Sequence, residues 1–244
     1  MRYPLALGSI LLQGAILAST ATLAHDITAK PDAKVPPAFD ITKATASTDG
    51  RLATFAMEVT GEAGSLKPQK VGKLAGSKVD AYLWPTKLDP SAVGFAKGSG
   101  ILALAITAHP DFDDTPLFDE NGDGDPTNDG ANWHSHWVVL GNDKACAGGL
   151  KVNDISPGQD LLPATAPGLP LALDSPGMSP ILKGKTVRIT VPVKNAENVN
   201  FDAVAAHLQV HEKGEKPLLC VTGTYKVASG NLTLPGVIMK ETKK

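Results

Sequence analysis

Between Ala38 and Lys226 the chain breaks into short apolar runs, each closed within a few residues by glycine, proline or an Asp-Gly pair. No run is long enough for an extended helix, so this punctuation restricts the fold to short strands joined by turns. Nineteen prolines and twenty-four glycines against 5% aromatics point the same way. A hairpin is expected across residues 38–60, because Asp49-Gly50 supplies the positive φ of a tight turn before Leu52–Val59. Val79–Trp84 and Ile101–Ala108 are the next strands, the second apolar almost throughout and so expected to be central and covered on both faces. Trp133–Leu140, Val187–Val193 and Pro217–Lys226 complete the set, with Pro192 marking an edge or a strand end. Residues 202–212 read equally as helix or strand. Residues 154–183 hold six prolines and little periodicity, which reads as a long surface excursion. The fold class expected is all-β, an antiparallel β-sandwich of about eight strands with long loops.

Residues 1–24 read as a signal peptide. Arg2 precedes a mostly apolar stretch from Leu5 to Leu17, and Ala21-Thr22-Leu23-Ala24 offers small residues at the −3 and −1 positions of a cleavage site. The apolar run falls short of the ~20 residues that span a bilayer, and no later run reaches that length. The chain is therefore expected to be exported, whether periplasmic, at the cell surface or secreted, with no transmembrane segment after signal removal. Residues 25–37 read as a loose N-terminal arm and 38–244 as one domain. The formal charge of −2, which becomes −3 once Arg2 is lost, gives no electrostatic case for a nucleic-acid partner. Cys146 and Cys220 are the only cysteines. In an oxidising compartment such a pair is expected to form a disulfide.

Two segments carry chemistry. In Asp119-Glu-Asn121-Gly-Asp123-Gly124-Asp125, oxygen-bearing side chains stand at positions 1, 3 and 5 and glycine at 6, as in a calcium-binding loop. Position 12 is Gly130 instead of a bidentate glutamate. Asp129, or a residue elsewhere such as Asp111, Asp113 or Asp114, would have to complete the shell. The acids of this segment have no basic residue among them, so a cation would relieve their repulsion. A solvated acidic turn is the plainer alternative.

The second segment is Trp133-His134-Ser135-His136-Trp137. On a strand, His134 and His136 share a face ~6.5–7 Å apart, close enough for two imidazoles to converge on one ion with bonds of ~2 Å. The tryptophans turn to the opposite face, where they can pack. A third ligand should come from another strand. His207 is the preferred candidate and His211 the alternative, since the two would lie ~13 Å apart on a strand but be neighbours on a helix. His109, at the far end of the acidic loop, is a further candidate. His25 would join copper through its own amine if cleavage fell after Ala24. Imidazole suits copper, zinc, iron and nickel alike. The four methionines form no cluster of the kind a Cu(I) chaperone surface needs.

The run from His109 through the acidic loop to Trp133-His-Ser-His-Trp-Val-Val-Leu resembles the surface copper-binding proteins of methanotrophs, of the CorA and C-terminal MopE type. The resemblance covers residues 38–226 in architecture but only 109–140 and the His207 region in motif. It implies a secreted β-rich protein holding Cu(I) through two histidines and an oxidised tryptophan. Carried over, His136 and His207 would be the histidine ligands. His134 would stand where the family has its tryptophan, giving three histidines and no modified residue, with Trp133 an outside candidate for oxidation. The expected function is acquisition, storage or delivery of copper, beside a structural calcium. A zinc or copper enzyme with an open three-histidine site is the alternative, with Glu212 and Glu215 the only acids near His211 in sequence. A calcium-dependent structural or adhesion module is the third reading.

Overall fold

A computed structural model describes residues 26–156 and 161–241, so the expected signal peptide and His25 lie outside the described residues. In chain order the strands begin with β1 (Ile27–Thr28), β2 (Ile41–Thr48), β3 (Leu52–Val59), β4 (Lys78–Pro85) and β5 (Ile101–Ala108). They continue with β6 (His134–Asn142), β7 (Leu150–Val152), β8 (Leu173–Asp174), β9 (Ile181–Lys183) and β10 (Thr186–Pro192). The last are β11 (Asn200–Phe201), β12 (Val204–Val210), β13 (Leu219–Val227), β14 (Gly236–Val237) and β15 (Met239–Lys240). Two short 3-10 turns, at Pro90–Val93 and Asp129–Ala131, are the helical elements among the described residues. No helix there is long and apolar enough to cross a membrane.

The fold is all-β and its longer strands pair antiparallel, but the architecture is not a simple eight-strand sandwich. One sheet runs β1-β2-β3-β10-β9, with β15 beside β2. The other runs β5-β4-β12-β13-β7-β6, and β6 pairs back onto β5, closing six strands into a barrel; β8 adds to β6. Closure needs a thin interior. An eight-strand barrel is just wide enough for its side chains to fill, so six strands require small ones. Ala81, Ala103, Ala105 and Ala206 supply them, with Val79, Leu83, Val138, Leu140 and Leu208 filling between. Alternate residues of the same strands point outward. Tyr82, Trp84, Leu102, Leu104, Ile106 and Trp137 pack against Phe55, Met57, Val187 and Ile189 of the open sheet. Each such burial is worth ~1.5–3 kcal/mol, so this second core anchors sheet to barrel.

That double duty explains why Ile101–Ala108 is apolar on both faces: one face lines the barrel and the other faces the sheet. The hairpin over residues 38–60 forms as expected, with Gly50 at φ 94° and the Asp49 carboxylate accepting from the amides of Arg51 and Leu52. Residues 204–210 are strand: Val204, Ala206, Leu208 and Val210 enter the barrel core, and Ala205, His207 and Gln209 face the other way. Two expectations are corrected. The arm over 25–37 is not loose along its whole length: Ile27 is buried and β1 pairs with β2. The proline-rich excursion is not confined to the surface, since Leu171 and Leu173 turn in to help close the barrel core. Cys146 and Cys220 form a disulfide, tying the loop after β6 to β13 across 74 residues.

Candidate metal centre

At the end of the barrel where β5 leaves and β6 enters, His109, Asp114, His134 and His136 converge, each at most 3% exposed. One ligand atom from each lies within 4.8 Å of all the others. The Nε2 atoms of His109 and His134 are 2.9 Å apart, and each is 3.1 Å from Asp114 Oδ1. His136 Nε2 is 3.3 Å from the same oxygen. A tetrahedral ion with bonds of about 2.0–2.1 Å needs its ligand atoms about 3.3 Å from one another. These four spacings lie within a few tenths of an ångström of that demand.

Local sequence accounts for each position. His134 and His136 share the inward face of β6 by strand alternation, opposite Thr107 and Ala105 of β5. His109 follows directly after β5. Its amide donates to Gly130 O at 2.7 Å, and its ring stacks on Phe112 at 4.0 Å. A side chain at Gly130 would collide with the Phe112 carbonyl. The departure from a calcium-loop pattern at that position thus has a packing cause. Asp114 comes from the turn that follows.

The outer hydrogen bonds set the tautomers. His109 Nδ1 faces Phe112 O at 2.9 Å and His134 Nδ1 faces Asn132 O at 2.8 Å. Carbonyls only accept, so both Nδ1 atoms carry the proton and both Nε2 atoms present lone pairs. Ser175 Oγ donates to Asp114 O at 2.6 Å and so accepts from His136 Nδ1 at 3.1 Å, giving the third ring the same orientation. Three nitrogen lone pairs and a carboxylate oxygen therefore point at one place. The Thr107 hydroxyl, 3.2 Å from His134 Nε2, is a donor within reach. His136 Nε2 has no hydrogen-bond partner. Buried acceptors facing one another are costly unless positive charge lies on or between them. Burial by itself raises the pKa of Asp114; with protons on the Nε2 atoms in the ion's place, the charge on His109 and His136 and hydrogen bonds from His109 and His134 would outweigh it and hold the carboxyl well below the usual carboxylate range. The arrangement fits a metal ion with its outer hydrogen bonds already in place.

The other expected ligands are elsewhere. His207 does not join the cluster: Ala206 and Leu208 face the barrel interior, so His207 between them faces outward. There it bonds Thr222 Oγ1 through Nδ1 at 3.0 Å and packs on Tyr225. The pairing of His136 with His207 implied by the resemblance is thus separated by the barrel wall. His211 lies in the turn after β12, its Nδ1 accepting from the amides of Lys213 and Glu215. Trp133 lies against Tyr82 and donates to Gly64 O, away from the four ligands. Sequence reasoning ranked His109 below His207 and weighed Asp114 only for calcium. It passed over Ser175, for which a proline-rich stretch offers no signal.

The acidic loop is an internally bonded brace. Asp119 accepts from the amides of Gly122, Asp123 and Gly124, and Asp125 from that of Thr127. Asp123 accepts from the amide of Asp125 and from the side chains of Asn121 and Asn128. Buried Asp129 accepts from Glu120 N and Asn132 Nδ2, while Asp113 accepts from Asp129 N. These bonds tie the Asp114 turn to the start of β6. Among the described residues the His109–Asp114–His134–His136 group is the one whose acid, thiol or imidazole atoms gather at metal-binding distance. Compared with known proteins, the chain matches no family model, no curated protein and no solved structure.

Proposed function

We propose that this chain is an exported metal-binding protein that holds one copper ion between His109, Asp114, His134 and His136. The observation that supports it most is the convergence of three Nε2 lone pairs and one carboxylate oxygen in a buried site where Thr107 is a donor to His134 and His136 Nε2 has no partner. A histidine-rich site ranks divalent copper above zinc in affinity. The hard carboxylate favours a divalent ion over Cu(I), so the oxidation state differs from the one that the resemblance to methanotroph copper proteins implies. The Cys146–Cys220 disulfide fits an oxidising compartment, in line with export. A buried, fully walled site suits acquisition or storage.

Elemental analysis of protein from its native host tests the reading: one copper per chain is expected, and none in His136→Ala. Stoichiometric zinc in place of copper would move the assignment to zinc. No transition metal at all, or one tight copper retained in His136→Ala, would sink it. Calcium in the acidic loop, on Asp119, Asn121, Asp123, Asp125 and Asp129, is the second ion of the proposal. Its support is the alternation of oxygen side chains around Gly124. A melting temperature unmoved by a calcium chelator would remove it.

A further inference from the structure

The barrel interior is not filled to its end. A cavity of about 30 Å³ lies between the aliphatic walls of Val79, Ala81, Leu83, Leu208 and Leu219 and the metal cluster. Thr107, His109, Asp114 and His136 line it, whereas His134 does not. The four-residue cluster is therefore open to the lumen through His109, Asp114 and His136. His136 Nε2, fully buried and without a hydrogen-bond partner, belongs to this lining. Space of this size admits about one or two molecules no larger than water. Water needs ~2–4 polar partners to stay; here they stand only at the cluster end, and the aliphatic end accepts an apolar guest. An anion would have only the ion and the Thr107 hydroxyl to replace its hydration, with the rest of its surface against aliphatic side chains.

Resting on the metal reading above, we infer that the lumen is a binding chamber for a small uncharged molecule of diatomic-gas size, which would meet the ion from the lumen side. The small alanines that allow six strands to close also leave the room. The chamber selects by size and polarity, because its packed walls cannot stretch around a larger guest and, beyond the cluster and the Thr107 hydroxyl, carry no group to solvate a charged one.

The test uses the full chain, first metal-free under xenon pressure, then loaded with copper(II). Xenon should shift the methyl resonances of Val79, Leu208 and Leu219, and nitric oxide should alter the copper(II) electron paramagnetic resonance spectrum. Ala81→Leu, which fills the chamber, should keep one copper per chain and lose both responses at least ten-fold. If that variant fails to fold, Ala81→Val is the milder filling. Xenon that shifts none of these methyls overturns the inference. So does a nitric oxide response undiminished in the filled variant, or azide altering the wild-type spectrum as strongly as nitric oxide. Copper that binds at one per chain while both gases leave it unchanged rejects the chamber but not the metal site. Failure to bind any transition metal rejects both.

Discussion

Two histidine–carboxylate groups sit at the same end of the barrel, on opposite sides of its wall, and they differ in how they are satisfied. Outside, Tyr225 donates to Asp80 Oδ1 at 3.0 Å, and His207 and Thr222 complete each other. Each polar atom named there has a complementary partner, so the group is stable as it stands. Burial raises the pKa of Asp80, partly offset by the Tyr225 hydrogen bond and the nearby His207. Inside, His109, His134 and His136 donate hydrogen bonds from Nδ1 to carbonyl or hydroxyl oxygens, and their remaining nitrogens meet a carboxylate. Acceptors meet acceptors. Histidine and carboxylate occur in both places, so the direction in which the donors point, more than the presence of histidine, separates a self-satisfied group from one that could hold a metal ion.

The sharpest way to break this contrast is to delete a histidine on each side. His136→Ala should lose copper by about 100-fold or more in affinity, whereas His207→Ala should leave it unchanged, both read by titration calorimetry. Equal losses would mean that the wall does not separate the two groups. Next in size is Ser175→Ala. It leaves all four ligands but frees the His136 ring, and an outer partner of this kind is worth about 10–100-fold in metal affinity. An unchanged affinity would show that Ser175 does not orient the ring.

On the outer side, Tyr225→Phe removes the hydroxyl donor to a buried carboxylate. It should cost about 1–3 kcal/mol in chemical denaturation with no change in copper content. A change in copper content would couple the two sides. The smallest effect concerns the Asp40–Lys226 pair, 2.9 Å apart, which holds β13 against the N-terminal segment. Burial raises the Asp40 pKa, but hydrogen bonds from Lys226 and Asp32 and the Lys226 charge outweigh it, so the net shift is downward. A carboxylate lowered in the folded state stabilises at pH above its unfolded value near 3.8 and loses that contribution as pH falls through the folded value. Metal-free wild type should therefore lose more stability than Asp40→Asn as pH falls from about 5 through the acid range, read by chemical denaturation. Parallel curves would show that the pair contributes nothing.

Much of the frame was legible beforehand. The Asp49-Gly50 turn announced its hairpin, and the continuous apolar character of Ile101–Ala108 announced a strand covered twice. What covers it was not legible, because a sandwich and a barrel packed on a sheet impose the same pattern on a single strand. The excursion over 154–183 was misjudged for a related reason. Leu171 and Leu173 are two apolar residues among prolines, too few for a periodic signal, and only closure of the barrel gives them a core to enter. The metal site divides in the same way. The acidic loop, read from its spacing as a cation site, also braces the four-residue cluster through hydrogen bonds that its Asp and Asn side chains make with nearby amides and amide side chains.

The sequence by itself determined that His134 and His136 share a face, since alternation along a strand is a local property that no packing can reverse. It equally determined that the two tryptophans beside them turn the other way, and Trp137 is buried in the sheet-facing core accordingly. Only the tertiary structure decided which other residues meet them. His207 has the right type, but its place between Ala206 and Leu208 turns it outward once β12 becomes a barrel strand. His109 and Asp114 reach the site because β5 and β6 pair to close the barrel and Gly130 lets the intervening turn fold back against it. Which face becomes an interior depends on closure, and closure is a property of six strands together.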